Sequence, residues 1–239
     1  MKNFLRLVAS AALLPSFALG LVGISWNIAN APANGFSFVT FPISIGGSPH
    51  RSGYYFAQQF NFIGQRDIGY IGLQPRPDSA GKPIIHVAFS SFIQGTTTGD
   101  NARCHSGADG GPGVSCSIEF SAPYGNGFKL EVQNPQGTMW VGTVIDTTTG
   151  ERRQIGSWTL PAGTKGIVGS QMGFVEYYPW NSGTHTCSSL PKTSVVFGIP
   201  YSNVAGSLSD AYEYGDCVGK VGFQAGRTAG QGVQVIVGF

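Results

Sequence analysis

Ser115-Cys116-Ser117-Ile118-Glu119-Phe120-Ser121-Ala122, then Pro123-Tyr124-Gly125-Asn126-Gly127, then Phe128-Lys129-Leu130-Glu131-Val132-Gln133, is the stretch that decides the fold class. Cys116, Ile118 and Phe120 alternate with Ser117 and Glu119. Phe128, Leu130 and Val132 alternate with Lys129 and Glu131. Side chains on a strand point to opposite faces in turn, so this period of two describes half-buried strands. The Pro-Tyr-Gly-Asn-Gly segment between them is turn chemistry. The two strands are expected to pair as a hairpin, with Glu119 opposite Lys129 as a cross-strand ion pair on the solvated side.

The same pattern recurs along the chain. Strands are expected over 24–29, 36–45, 53–62, 69–74, 84–93, 139–146, 153–160, 172–178, 194–199 and 233–239, each rich in β-branched or aromatic residues and bounded by Gly, Pro, Asn or Asp. Only Leu208–Tyr214 hints at a helix. With 36 glycines, 14 prolines and 12% aromatics, the composition fits many strands joined by tight turns. The expected fold is all-β, a two-sheet antiparallel β-sandwich or jelly roll of the concanavalin-like kind. No linker, charge run or repeat divides it, so residues 21–239 read as one domain.

Residues 1–20 read as a signal peptide. Lys2 and Arg6 supply the positive start, Leu5–Leu14 is mostly apolar, and Ala18-Leu19-Gly20 offers small residues for cleavage. The apolar run is shorter than the about 20 residues that span a bilayer. A secreted, extracellular protein is therefore expected. Without Lys2 and Arg6 the balance is 12 basic against 12 acidic residues, with no basic cluster. That argues against nucleic acid and a membrane surface as partners.

Cys104, Cys116, Cys187 and Cys217 make an even count in an exported chain, which reads as a disulfide framework. Three connectivities are open; Cys104–Cys116 with Cys187–Cys217 is favoured because each pins a single loop. Zinc would want Cys-x-x-Cys spacing, which is missing, so no metal site is expected. The Asp100–Gly111 loop has oxygen ligands that calcium takes, without EF-hand spacing. No cofactor is expected.

Gly53-Tyr54-Tyr55-Phe56-Ala57-Gln58-Gln59-Phe60-Asn61-Phe62, followed by Gly69-Tyr70-Ile71-Gly72-Leu73-Gln74, resembles a family of uncharacterised secreted proteins, domain of unknown function 3472. Trp140, Gly142–Asp146 and Ile155-Gly156-Ser157-Trp158 add to the resemblance, which covers about Gly53 to Trp158. It implies an exported β-sandwich in the style of lectin-like and glycan-active domains, and no reaction. Trp140 and Trp158 themselves sit in strand patterns and are expected in the core.

Alternation places Tyr55, Gln59, Asn61, Tyr70, Gln74, His86 and Ser90 on one polar face if their three strands are neighbours, with Gly69 and Gly72 beside it. Phenol rings cover the apolar faces of pyranoses, and amides bond hydroxyls, so this face suits a polysaccharide or cell-wall glycan. An ordinary solvated sheet surface is the alternative. The alternative function is a polysaccharide-active enzyme, a lyase before a glycoside hydrolase, using a His/Tyr/Gln face; for a lyase, His86, Tyr70 and Gln74 are the candidate catalytic groups. Glu176–Trp180 and Tyr212–Asp216 are aromatic–acid clusters beside the second cysteine pair. A monomer is expected.

Overall fold

Burial follows the alternation. Met139–Asp146 buries every second residue, and Phe36, Phe56, Phe60, Phe62 and Phe89 are all within the core. The computed structural model describes residues 20–239, so the signal-peptide reading over residues 1–20 lies outside the described residues except for Gly20, which is paired with Glu176 in the first strand. In chain order the strands are β1 Gly20–Asn27, β2 Phe38–Ser44, β3 Tyr54–Asn61, β4 Ile68–Ser79, β5 Lys82–Ser91, β6 Cys104–Ala108, β7 Gly111–Ser121 and β8 Gly127–Gln136. They continue as β9 Met139–Asp146, β10 Arg152–Thr159, β11 Ser170–Tyr177, β12 Thr193–Phe197, β13 Ser207–Leu208, β14 Tyr212–Glu213, β15 Gln224–Arg227 and β16 Val233–Val237. Short 3-10 helices occupy Tyr178–Ser182 and Cys187–Ser189, and no α-helix occurs among the described residues.

The strands form two antiparallel sheets packed as a sandwich. A nine-stranded sheet runs β13-β1-β11-β3-β4-β5-β7-β6, with β14 also on β1; a seven-stranded sheet runs β10-β9-β8-β2-β12-β16-β15. Each strand expected from sequence is present. β6, β13, β14 and β15 are additional, being short or glycine-rich. The helix expected over Leu208–Tyr214 is replaced by β13 and β14, whose backbones pair with β1 rather than with themselves.

The hairpin expected around Tyr124 does not form. β7 pairs with β5 and β6 in one sheet, whereas β8 pairs with β2 and β9 in the other. The intervening turn is a corner between layers. Tyr124 is buried there, its hydroxyl donating to the Ile84 carbonyl at 2.7 Å and accepting from the Arg76 amide at 2.8 Å. Phe120 and Phe128 meet edge to face at 6.2 Å across the interior. Alternation is the same for strands that pair and strands that oppose, so it did not separate the two. Glu119 consequently meets Arg76 and His86, and Lys129 lies 5.6 Å above the Tyr201 ring.

Both favoured disulfides, Cys104–Cys116 and Cys187–Cys217, are formed. The first joins directly paired residues of β6 and β7. Gly156 of β10 packs so closely on it that a Cβ there would lie 2.5 Å from the Cys104 sulfur. The neighbouring core is aromatic: Trp158 stacks on Phe89 at 4.6 Å and meets Phe62 edge-on, while Phe62 also packs on Trp140. Trp140 and Trp158 are thus core residues. No helix among the described residues is long and apolar enough to cross a membrane.

Candidate functional site

The outer face of the nine-stranded sheet carries the seven polar residues named from sequence. Their strands β3, β4 and β5 are consecutive neighbours. Register arranges the face in rows that cross the strands. In one row Ser25 pairs with Met172, Gln59 with Tyr70, Tyr70 with Ser90, Ser90 with Ser115, and Ser115 with His105. In a second, Glu176 pairs with Tyr55, Gln74 with His86, and His86 with Glu119. Between them runs a row of Phe174, Ala57, Gly72, Ala88 and Ser117. Apart from Phe174, that middle row has nothing larger than a methyl or hydroxymethyl group. The outer rows are four residues apart along each strand, about 13 Å.

Gln59, Asn61, Tyr70, Gln74 and His86 are half-buried, whereas Tyr55 and Ser90 are buried. Tyr55 lies in a cluster with Ala57, Ala88 and Phe174, its ring edge-on to Tyr70 at 5.3 Å and to Phe174 at 5.6 Å. Ser90 shares a hydrogen bond with Ser115 at 2.7 Å, and Gln171 donates to the Asn61 carboxamide. Gly72 is on this face, but Gly69 faces inward, where the Phe60 ring fills the place of a side chain. The three groups considered for lyase chemistry are not gathered at one point. Gln74 and His86 are directly paired, and Tyr70 stands four residues further along β4.

Electrostatics divide the face. At one end Arg76 donates through Nε to Glu119 Oε1 at 3.1 Å and through Nη1 to the Tyr178 hydroxyl at 3.0 Å. His86 Nδ1 meets the same Glu119 oxygen at 3.1 Å. Burial, and then the Arg76 charge, hold the His86 pKa below its ordinary value, outweighing Glu119. A neutral imidazole bonded to Glu119 through Nδ1–H presents Nε2 as an acceptor. Burial would raise the Glu119 carboxyl, but bonds from Arg76 and His86 bring it below the usual range.

Glu176, Tyr55, Tyr70 and Asp109 occupy the other end. Asp109 comes from the tip of the β6–β7 hairpin, where Asp109 and Gly110 both have positive φ, 47° and 77°. Asp-Gly is the sequence that such a two-residue turn demands. The tip puts the exposed carboxylate over the sheet, where Asp109 Oδ2 accepts from the Tyr70 hydroxyl at 3.1 Å. Burial first and Asp109 second push the Tyr70 pKa far up, so the phenol is a donor and stays protonated. The Tyr55 hydroxyl is buried without a hydrogen-bonding partner. Glu176 is 6% exposed and accepts from Asn181 at 2.7 Å. Burial raises its pKa, Asn181 opposes, and the Asp109 charge adds to the rise. Tyr214, whose ring occupies the space beside Gly20, is pushed up to about 12 by burial, with Glu176 contributing. The two aromatic–acid clusters therefore do meet near the second disulfide.

A carboxyl with a raised folded pKa holds its proton more tightly folded than unfolded. Folding is then opposed as pH climbs past the unfolded value, with the full cost reached above the folded one. Glu176→Gln removes the ionisation. Its melting temperature is expected to exceed wild type at about pH 7.5, with the gap closing by about pH 4. Calorimetric scans across that range check this; a wild-type advantage that widens with pH contradicts it.

Sequence reasoning missed Arg76, Asp109 and Phe174. Arg76 was legible, since it is two residues past Gln74 and so shares its face. Asp109 was not, because only the curl of the β6–β7 hairpin carries it over β4. His185 lies near the Cys187 and Cys217 sulfurs, but these are bonded to each other. Asp100 is paired with Arg103 at 3.0 Å and Asp109 with Tyr70, so the two acids of the Asp100–Gly111 loop serve separate partners.

No family model matches the chain, and no curated protein matches it. Among solved structures it is similar to scytalido-glutamic peptidase with a transition-state analog inhibitor, at 12% identity and TM-score 0.48, covering 93% of this chain and 100% of that one. SCP-B, a member of the eqolisin family of peptidases in complex with the tripeptide Ala-Ile-His, is similar at 12% identity and TM-score 0.43, with the same coverage. The CBM2 module of the evolved Dit of Lactobacillus casei BL23 phage J-1 is similar at 14% and 0.31, covering 65% of this chain and 68% of that one. Likeness of this degree bears on neither activity nor ligand.

Proposed function

We propose that this is a secreted glycan-binding protein of the group marked by the Gly69–Gln74 element. Its ligand is an extended polysaccharide of the cell-wall kind, lying across the strands on the outer face of the nine-stranded sheet. One observation carries the reading. Half-buried Gln59, Asn61, Tyr70, Gln74 and His86 share a face, around a strip of small residues beside a partly exposed phenol ring. Half-burial fixes side chains before a ligand arrives, which lowers the entropy lost on binding. The amides and His86 Nε2 meet hydroxyls, and Tyr70 offers its ring to a pyranose face. Two disulfides fit an oxidising, extracellular location.

Affinity electrophoresis in gels containing mixed-linkage β-glucan, xylan, mannan or polygalacturonate tests it. At least one polymer is expected to retard wild type. Gln59→Ala and His86→Ala should each weaken that retardation by about tenfold, the scale of one or two lost hydrogen bonds. Free migration of wild type through all four gels, or variants retarded like wild type, contradicts the reading.

A further inference from the structure

The rows of the outer face do not stop at β11. Phe174 pairs with Gly23 of β1, and Gly23 pairs with Tyr212 of β14, so the strip of small residues leads past Phe174 to the Tyr212 ring. The row that holds Tyr70 and Gln59 reaches Met172 and then Ser25. Gly23 has no side chain, and Tyr212 takes the space: a Cβ on Gly23 would lie 2.5 Å from the Tyr212 Cζ. The ring thus rests on the outer side of β1 and stays 43% exposed. Beyond it the chain returns along the same edge, where Ser209 Oγ accepts from the Ser25 amide at 2.9 Å and β13 pairs Ser207 with Asn27.

Between the Tyr212 ring and β13 lies an open groove of about 650 Å³. Ligand sites run from roughly 300 to 1,000 Å³. Ser25, Asn27, Ser170, Ser207 and Ser209 line it, and all five are exposed. Hydroxyls and a carboxamide beside one phenol ring are the groups that hold a sugar: the polar atoms bond its hydroxyls and the ring covers its apolar side.

We propose that this groove is a second sugar-binding subsite, that one glycan chain spans it and the Tyr70–Gln59 row, and that the glycan is a neutral polymer. The inference rests on the glycan reading, because it extends the same bound chain. From β4 to β1 is three inter-strand steps, about 14 Å, which takes an oligosaccharide to cross. Charge selects the polymer. No residue lining the groove carries a charge, and Asp210 beside it is held by Arg227 at 2.9 Å. On the rest of the face Asp109 and Glu119 expose carboxylates, whereas Arg76 is engaged by Glu119 and Tyr178. A uronate polymer would bring like charges together along the rows, which disfavours it. A neutral glucan, xylan or mannan meets no such penalty.

Affinity electrophoresis in the same four gels tests the proposal. Wild type is expected to be retarded by a neutral polymer and to pass polygalacturonate freely. Tyr212→Ala should weaken the retention by about tenfold, the scale of one lost aromatic anchor. Tyr212→Phe keeps the ring and should be held like wild type. Gly23→Ala should weaken retention as Tyr212→Ala does, because its methyl displaces the ring while every lining group remains. Far-UV circular dichroism checks that each variant is folded; Tyr212 is exposed, so its truncation leaves the core intact. If Gln59→Ala is weakened but folded Tyr212→Ala is held like wild type, the subsite is overturned and the glycan reading stands. Retention by polygalacturonate as strong as by any neutral polymer overturns the assignment of the ligand as neutral. Free passage of wild type through all four gels removes the glycan reading and this inference with it.

Discussion

Trp158→Ala is expected to cost about 3–5 kcal/mol of stability, the range for removing a large aromatic from a packed core. The indole is 1% exposed, stacked on Phe89 at 4.6 Å, edge-on to Phe62, and close to the point where Gly156 rests on the Cys104–Cys116 disulfide. The surroundings cannot collapse into the space, because the disulfide and the ladders of both sheets fix its walls. Urea unfolding measures the loss. A cost under about 1 kcal/mol contradicts the packing described.

Gln58→Met is expected to act in the opposite direction, raising stability by about 1–3 kcal/mol. Gln58 points into the core on the same side of β3 as Phe56 and Phe60, fully buried, and neither amide atom has a hydrogen-bonding partner. Its partner residue on β11 is Gly173, whose missing side chain leaves room for the amide. Methionine keeps the length and flexibility of glutamine without its desolvation cost. A rise in the denaturant midpoint at constant slope supports this. A fall contradicts it.

Period-two alternation made the strands legible because each buries one face, and it put the phenylalanines of β3 inside and its amides outside. Alternation carries no information about which strand lies beside which. Ser115–Gln133 therefore read as a hairpin, while Tyr124 in fact anchors a corner and sends β7 and β8 into different sheets. The same limit explains Glu119: its face was legible, its partner was not. β13 and β14 were hidden for another reason. Each has two residues, and only pairing with β1 makes them strands.

The site divides along the same line. Gln59, Asn61, Tyr70, Gln74 and His86 are placed by local pattern plus the adjacency of β3, β4 and β5. Tyr55 and Ser90 share that face but lie too deep to meet a ligand directly, buried by Tyr70, Phe174 and the Ser115 bond. Glu176 and Asp109 come from β11 and the β6–β7 hairpin, distant in sequence from β3 to β5 and brought near only by sheet order. The face is organised in transverse rows, and a row is assembled by tertiary pairing alone.

The most direct measurement is an NMR titration with a hexasaccharide of whichever polymer retards the protein. Side-chain amide shifts of Gln59 and Gln74 and the ring shifts of His86 should move and saturate together. Perturbation confined to the seven-stranded sheet, around Lys129 or Gln234, with those three signals unmoved, would mean that sugars meet this protein on its other side.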